Sequence, residues 1–325
     1  MSRPALALLL ALALGCTGAP PVSTPDGGAA RRDGGEDAGL EAPDAGEPDA
    51  GAPDAGYVPP VVLAERPYQL VVPVGYAPAT PLPLVVLLHG YGLTASTQDA
   101  WFGFSDEAQA RTFLLALPDG TRNATGQQFW NATDACCAAG AEVDDVAYLS
   151  AVIADVKARY AVDGRKVFLV GHSNGGFMAH AFACDRADEV SAVISFAGAT
   201  WADASRCAPS RPVSVVQLHG NLDAVVLYGG GVTPVGSGPY PGAETTVSTW
   251  AAKNGCAGSS LERLDGDLDL AADVVLDETK REAYPGCPAQ GAVELWTLRG
   301  GSHAPLVSST FAPTLLSWLF AHGRP

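Results

Sequence analysis

The chain has 325 residues, of which 47% are hydrophobic, and a formal net charge of −16 from 35 acidic and 19 basic residues. This length fits one large domain or two small ones. The basic residues are spread thinly and form no basic patch, so the sequence lacks the electrostatic footprint of nucleic-acid binding, and we expect no nucleic-acid partner.

Residues 1–15 are predicted to be a secretory signal peptide. Arg3 precedes an apolar Ala/Leu run over residues 5–14, which is too short to span a membrane but typical of a signal-peptide core. Small residues then precede Cys16, as in a bacterial lipobox, although Ala13-Leu14 stands where the lipobox has Leu and then a small residue. We expect export, with Cys16 as the candidate lipid attachment site and membrane contact only through that lipid. Signal cleavage without lipidation is the alternative.

The next segment is rich in Ala, Pro, Asp and Gly, and the sequence Pro-Asp-Ala-Gly begins at residues 43, 48 and 53. Such a composition cannot bury enough apolar surface to offset chain entropy. Residues 16–58 are therefore predicted to be a disordered tether, and residues 59–325 to form a single folded domain.

Six cysteines follow Cys16, and in an exported chain they are expected to form disulfides. Six cysteines allow about 15 pairings. The pairs that we favour are Cys184–Cys207 and Cys256–Cys287. The adjacent Cys136 and Cys137 then pair with each other or elsewhere. Zinc binding is the alternative, but no C-x-x-C or H-x-x-x-H spacing supports it, and we expect no metal.

Apolar runs and helical patterns alternate through the domain. Strands are predicted over residues 66–74, 83–89, 113–117, 167–170, 190–196, 212–218 and 293–298, and helices over 96–111, 145–160, 177–183, 245–253 and 311–322. This alternation, with inner strands that are apolar throughout, predicts an α/β fold with a mainly parallel sheet and helices on both faces.

Four polar side chains lie at or shortly after the ends of predicted strands: His89, Ser173, Asp223 and His303. Ligands of such sheets bind at the carboxyl ends of the strands. We therefore expect these residues at one edge of the sheet.

Gly-His-Ser-Asn-Gly at residues 171–175 joins a strand to an apolar helix, as the nucleophile elbow requires. In such a tight turn the flanking positions tolerate little more than glycine. Ser173 is thus the predicted nucleophile, and the Asn174 N–H at the helix start is a predicted oxyanion donor. A glycine-rich turn without a chemical role is the alternative.

A serine hydroxyl needs a base that is itself held by a carboxylate. In this arrangement the chain order is Ser, acid, His. Of six histidines, only His303 follows the last predicted strand in a glycine-rich loop, and it is the predicted base. Asp223 is the predicted acid; the runner-up, Asp203, precedes its strand.

A second oxyanion donor is expected from the loop His-Gly-Tyr-Gly at residues 89–92, and we choose the Tyr91 N–H. Trp130 and Trp201 are candidates for lining a substrate pocket, with core packing as the alternative.

Six motifs occur together along the domain. They are Leu-Leu-His-Gly-Tyr-Gly at 87–92, Phe-Trp-Asn at 129–131 with Cys-Cys at 136–137, Val-Asp-Asp-Val at 143–146, Gly-His-Ser-Asn-Gly-Gly at 171–176, His-Gly-x-x-Asp at 219–223 and Gly-Gly-Ser-His at 300–303. In this order the chain resembles the polyhydroxybutyrate depolymerase/feruloyl esterase family of secreted α/β-hydrolases, the carbohydrate-esterase family 1-like group, over residues 71–322.

The resemblance implies an α/β-hydrolase catalytic domain in which Ser173, Asp223 and His303 cleave carboxylic esters without a cofactor. Oligomeric or polymeric hydroxyalkanoates, or feruloyl and acetyl esters of polysaccharide, are the implied substrates. Ala304-Pro305 replaces the Trp-Pro that family members often have, which leaves the acyl and alcohol preference open. Two alternatives from other classes are a non-catalytic envelope lipoprotein and a serine peptidase.

Overall fold

The computed structural model describes residues 60–137 and 142–325. The predicted signal peptide, Cys16 and the predicted tether lie outside the described residues. No helix in the described part of the chain is both long and apolar enough to cross a membrane.

A nine-stranded sheet with helices on both faces forms the domain. The strands of the described residues are β1 (Tyr68–Val71), β2 (Leu82–Leu88), β3 (Leu114–Pro118), β4 (Thr121–Arg122), β5 (Gln128–Phe129), β6 (Val162–His172), β7 (Ala192–Phe196), β8 (Ser214–Gly220), β9 (Gly230–Val232), β10 (Pro239–Pro241), β11 (Glu262–Arg263), β12 (Thr279–Ala283) and β13 (Val293–Leu298). Of these, β4 pairs with β5 and β9 pairs with β10 in two separate two-stranded sheets. The α-helices are α1 (Val61–Glu65), α2 (Ala95–Phe102), α3 (Phe104–Arg111), α4 (Asp145–Arg159), α5 (Asn174–Asp185), α6 (Ala243–Asn254) and α7 (Phe311–Ala321).

The strand order in the sheet is β1-β3-β2-β6-β7-β8-β13-β12-β11. The strands from β3 to β13 pair in parallel, whereas β1, β12 and β11 pair antiparallel at the two edges. The predicted α/β fold with a mainly parallel sheet is confirmed.

Each central strand contributes side chains to two apolar layers, because successive residues of a strand point to opposite faces. In β2, Leu84, Val86 and Leu88 join the layer that contains α4, α5 and α6 residues. Val85 and Leu87 join the layer on the other face, which contains α2, α3 and α7 residues. Burial on both faces explains why these strands read as continuous apolar runs.

The predicted helix over residues 96–111 is wrong in its continuity. The structure breaks it into α2 and α3 at Gly103, whose φ is 77°. The Asp99 carboxylate accepts hydrogen bonds from the Ser105 N–H (2.9 Å) and hydroxyl (2.6 Å), which gives the second helix its own start. A residue with positive φ cannot continue a right-handed helix, so the two segments change direction there.

Three disulfides join the six described cysteines. Cys184–Cys207 and Cys256–Cys287 are the two pairs that the sequence favoured, and Cys136 is joined to Cys137. No thiolate of these six residues is therefore available to bind zinc, which removes the alternative reading of the cysteines.

Candidate active site

Ser173 lies alone between the last residue of β6 and the first residue of α5. Its backbone has φ 54° and ψ −119°, a conformation that costs a non-glycine residue about 1–3 kcal/mol. A Cβ on Gly171 would lie 2.0 Å from the Gly175 carbonyl oxygen, and a Cβ on Gly175 would lie 2.4 Å from the Leu88 carbonyl oxygen. The surrounding backbone thus requires both glycines and holds Ser173 at the carboxyl edge of the sheet.

The structure brings together the three residues of the predicted triad. His303 Nε2 lies 3.0 Å from Ser173 Oγ, and His303 Nδ1 lies 2.7 Å from Asp223 Oδ2. Because a carboxylate only accepts hydrogen bonds, the proton of the neutral imidazole lies on Nδ1. The Nε2 lone pair then faces the serine hydroxyl, as a general base requires.

Asp223 is buried and held as an anion. Its Oδ1 accepts hydrogen bonds from the N–H groups of Val225 (2.8 Å) and Val226 (2.9 Å). Burial raises the pKa of Asp223, but hydrogen bonds from His219, His303 and the Val225 N–H outweigh burial, so its pKa lies below the ordinary value. The carboxylate is therefore ionised at neutral pH.

His172, a neighbour of Ser173 in the elbow motif, contacts the loop that carries His303. Its Nε2–H donates to the His303 carbonyl oxygen at 2.9 Å, and its ring packs edge-on against Trp101 with 4.8 Å between centroids. The Trp101 indole N–H donates to the Pro305 carbonyl oxygen at 3.2 Å. Burial and the neighbouring His303 lower the pKa of His172 to about 3, so it is neutral. The motif marks His172 in the sequence, whereas nothing in the sequence marks Trp101.

The two predicted oxyanion donors belong to the loop after β2 and to the start of α5. An ideal Cβ on Gly90 would lie 3.6 Å from Ser173 Cβ, so this loop passes directly beside the serine. Among the described residues, no acceptor takes the Tyr91 N–H. Asn174 is the first residue of α5, where an N–H has no acceptor within the helix. Both N–H groups are thus available for an oxyanion.

Trp130 lies in the core and does not face a cleft. It is fully buried, and its indole N–H donates to the His89 carbonyl oxygen at 3.0 Å. Its backbone also exchanges two hydrogen bonds, of 2.7 and 2.8 Å, with the Asn174 side chain. Trp130 therefore joins the loop after β2 to the residue after Ser173. This position fits core packing and not the lining of a substrate pocket.

Trp201 lines a cavity of about 560 Å³, whose lining also includes Asp134, Arg206 and Ser237. That lining contains none of the three triad residues. Trp201 is itself 6% exposed, so its ring offers little surface to a ligand. Its side chain packs in the apolar layer that contains α4, α5 and α6 residues, which fits core packing.

The Esterase family model, described as "Putative esterase", matches residues 63–231, slightly more than half of the chain. The matched segment includes Ser173 and Asp223 and ends before His303.

Feruloyl esterase B of Piromyces equi is 28% identical over 238 residues, 71% of this chain and 41% of that protein. The probable feruloyl esterase C of Aspergillus flavus is 31% identical over 199 residues, 59% of this chain and 63% of that protein. The match thus spans less than two thirds of either relative's length.

Among solved structures, an acetyl xylan esterase from Aspergillus awamori matches with a TM-score of 0.55 at 14% identity. The alignment covers 78% of this chain and 93% of that chain. At this identity the likeness shows the fold, and that fold is the α/β-hydrolase fold.

Proposed function

The chain belongs to the Esterase family of α/β-hydrolases, and we propose that it is a serine esterase that cleaves carboxylic esters through an acyl-enzyme. The observation that carries the proposal is the continuous hydrogen-bond chain from Ser173 Oγ through the His303 ring to Asp223 Oδ2. Such a chain is what converts a weakly nucleophilic hydroxyl into an effective one.

In the proposed reaction, Ser173 Oγ attacks the ester carbonyl while its proton passes to His303 Nε2. The imidazolium is stabilised by the ionised Asp223, which also keeps the Nδ1–H in place. The N–H groups of Tyr91 and Asn174 bind the oxyanion of the tetrahedral intermediate. His303 then protonates the leaving alcohol, and a water molecule, activated by the same imidazole, releases the acid and restores the serine hydroxyl.

For the substrate, we favour feruloyl esters of polysaccharide, because both curated relatives described above are named feruloyl esterases. Acetyl esters and hydroxyalkanoate oligomers are the other classes that the sequence resemblance implies. Three disulfides in the described residues suit an oxidising compartment outside the cytoplasm. Together with the signal-like residues 1–15, they support export, with lipid attachment at Cys16 as part of the proposal.

The test measures hydrolysis of p-nitrophenyl acetate, p-nitrophenyl butyrate and methyl ferulate by the purified protein. Wild type is compared with Ser173→Ala and with Ser205→Ala, which changes an exposed serine outside the site. Turnover is expected in wild type and Ser205→Ala, and a loss of at least about 1,000-fold in Ser173→Ala, because the remaining site lacks a nucleophile.

A folded wild type without Ser173-dependent turnover of any ester would contradict the proposal and favour a binding protein. Cleavage of peptide anilides in preference to esters would instead favour a serine peptidase. Among methyl esters, a higher kcat/KM for methyl ferulate than for methyl acetate and methyl butyrate, which share its leaving group, would support the feruloyl preference.

A further inference from the structure

Two fully buried histidines, His180 on α5 and His219 on β8, take no part in the proposed reaction. Burying an imidazole without partners is unfavourable, so these rings need hydrogen bonds inside the domain. Both find them in one continuous polar chain that ends at Asp223.

The direction of each hydrogen bond in this chain follows from its first donor. The Trp250 indole N–H only donates, and it lies 3.0 Å from His180 Nδ1. The His180 proton is therefore on Nε2, which donates to Gln217 Oε1 at 2.8 Å. The Gln217 amide nitrogen then donates to the Gly198 carbonyl oxygen (2.8 Å) and to His219 Nδ1 (3.1 Å).

His219 consequently carries its own proton on Nε2, which faces the acid loop. This nitrogen lies 2.8 Å from the Val226 carbonyl oxygen and 3.4 Å from Asp223 Oδ2. Oδ2 is the same oxygen that accepts the hydrogen bond from His303. The Val226 N–H, in turn, donates to Asp223 Oδ1. His219 Nε2 thus contacts both the residue whose N–H binds one carboxylate oxygen and, at longer range, the other carboxylate oxygen.

We propose that His219 is a positioning residue for the acid: the chain Trp250–His180–Gln217–His219 holds Asp223 in the rotamer in which Oδ2 accepts the His303 Nδ1–H. The inference rests on the proposed function. A neutral imidazole suits this role, because it shares Oδ2 with His303 without cancelling the negative charge that stabilises the imidazolium. A cationic donor at the same place would compete with His303 for that charge.

Four variants of the full chain test this role. His219→Leu removes the donor, and His219→Gln keeps a side-chain N–H near the position of Nε2. Trp250→Phe removes only the first donor of the chain. Trp318→Phe is the matched control, because it also deletes a buried indole N–H, one that donates to Glu294 Oε1 at 2.7 Å, away from Asp223.

For p-nitrophenyl butyrate, kcat is expected to fall by about 10- to 100-fold in His219→Leu, less than the loss of about 10⁴-fold that follows removal of the acid's function. KM should stay within about two-fold, because the ring contacts no substrate. His219→Gln should restore most of kcat, Trp250→Phe should lower it less than His219→Leu, and Trp318→Phe should leave it unchanged.

A second readout does not depend on turnover. In protein labelled with ¹⁵N-histidine, exchange of the His303 Nδ1 proton with water should be slow in wild type and His219→Gln, and fast in His219→Leu. If proton exchange follows this pattern but no Ser173-dependent turnover is found, the proposed function is contradicted and the positioning role of His219 is retained. Equal kcat in wild type and His219→Leu, or equal losses in the Leu and Gln variants with unchanged proton exchange, would overturn the positioning role.

Discussion

Acidification from pH 8 to pH 5 is expected to destabilise the fold through its buried histidines. Burial lowers the pKa of His172 to about 3 and that of His180 to about 4, from an ordinary value of 6.5. Both groups therefore bind a proton more readily in the unfolded chain. Their contribution to stability is complete above pH 6.5 and is lost as the pH falls from 6.5 towards 4 and 3.

The magnitude follows from proton linkage. At pH 5 an unfolded histidine is almost fully protonated, whereas these two rings stay neutral in the native state. Each ring then lowers the free energy of unfolding by about 2 kcal/mol relative to pH 8. Ordinary carboxyl groups titrate mostly below pH 5, so this window isolates the histidines. His89, whose pKa burial also lowers, contributes in the same direction.

Urea unfolding followed by tryptophan fluorescence at pH 5.0, 6.5 and 8.0 measures this effect in wild type and His180→Gln. Glutamine cannot take up a proton, so the variant should lose about 2 kcal/mol of the difference between pH 8 and pH 5. Val247→Ala is the control, because it truncates a buried apolar side chain on α6 and should lower stability equally at all three pH values. If His180→Gln and wild type differ by the same amount at every pH, His180 is not held neutral by the fold and the reasoning fails.

Two further predictions concern the elbow and the acid. Gly171→Ala should destabilise the protein by about 3 kcal/mol or more, because its Cβ would lie 2.0 Å from a backbone oxygen. The control is Gly164→Ala on the same strand, whose Cβ would meet nothing within 4 Å and which should be nearly neutral. Thermal unfolding of both variants tests this. Asp223→Asn should lower kcat for p-nitrophenyl butyrate by about 10⁴-fold, because an amide can hold His303 in the wrong tautomer. A loss of less than about ten-fold would remove Asp223 from the proposed triad.

The strands that build the centre of the sheet were predictable because they are buried on both faces. Residues 83–89, 113–117 and 167–170 read as apolar runs for this reason, and the structure has strands at each. The edge strand β11 and its neighbour β12 were not predicted. Their sequences, Glu-Arg and Thr-Lys-Arg-Glu-Ala, are polar because these outer strands are exposed or only partly buried, so burial imposes no apolar pattern on them.

The residues of the candidate site could likewise be predicted where the signal is local in the chain. Local sequence sufficed to place Ser173 in its strained turn, because the glycines and the strand-to-helix transition are contiguous in the chain. Asp223 and His303 could be proposed because each comes shortly after a strand of a parallel sheet, whose carboxyl ends share one edge.

The side chains that support this site come together only in the folded domain. Trp130 reaches Asn174 across 44 residues, and His172 reaches the His303 carbonyl across 131. His219 lies four residues before Asp223, but its tautomer depends on Gln217, on His180 and finally on Trp250 in another helix. No local pattern encodes such a chain of contacts. The strand–helix alternation and the residues at the strand ends could be read from the chain, because both are set by near neighbours. The roles of the buried polar side chains could not, because each depends on partners that only folding brings within hydrogen-bond distance.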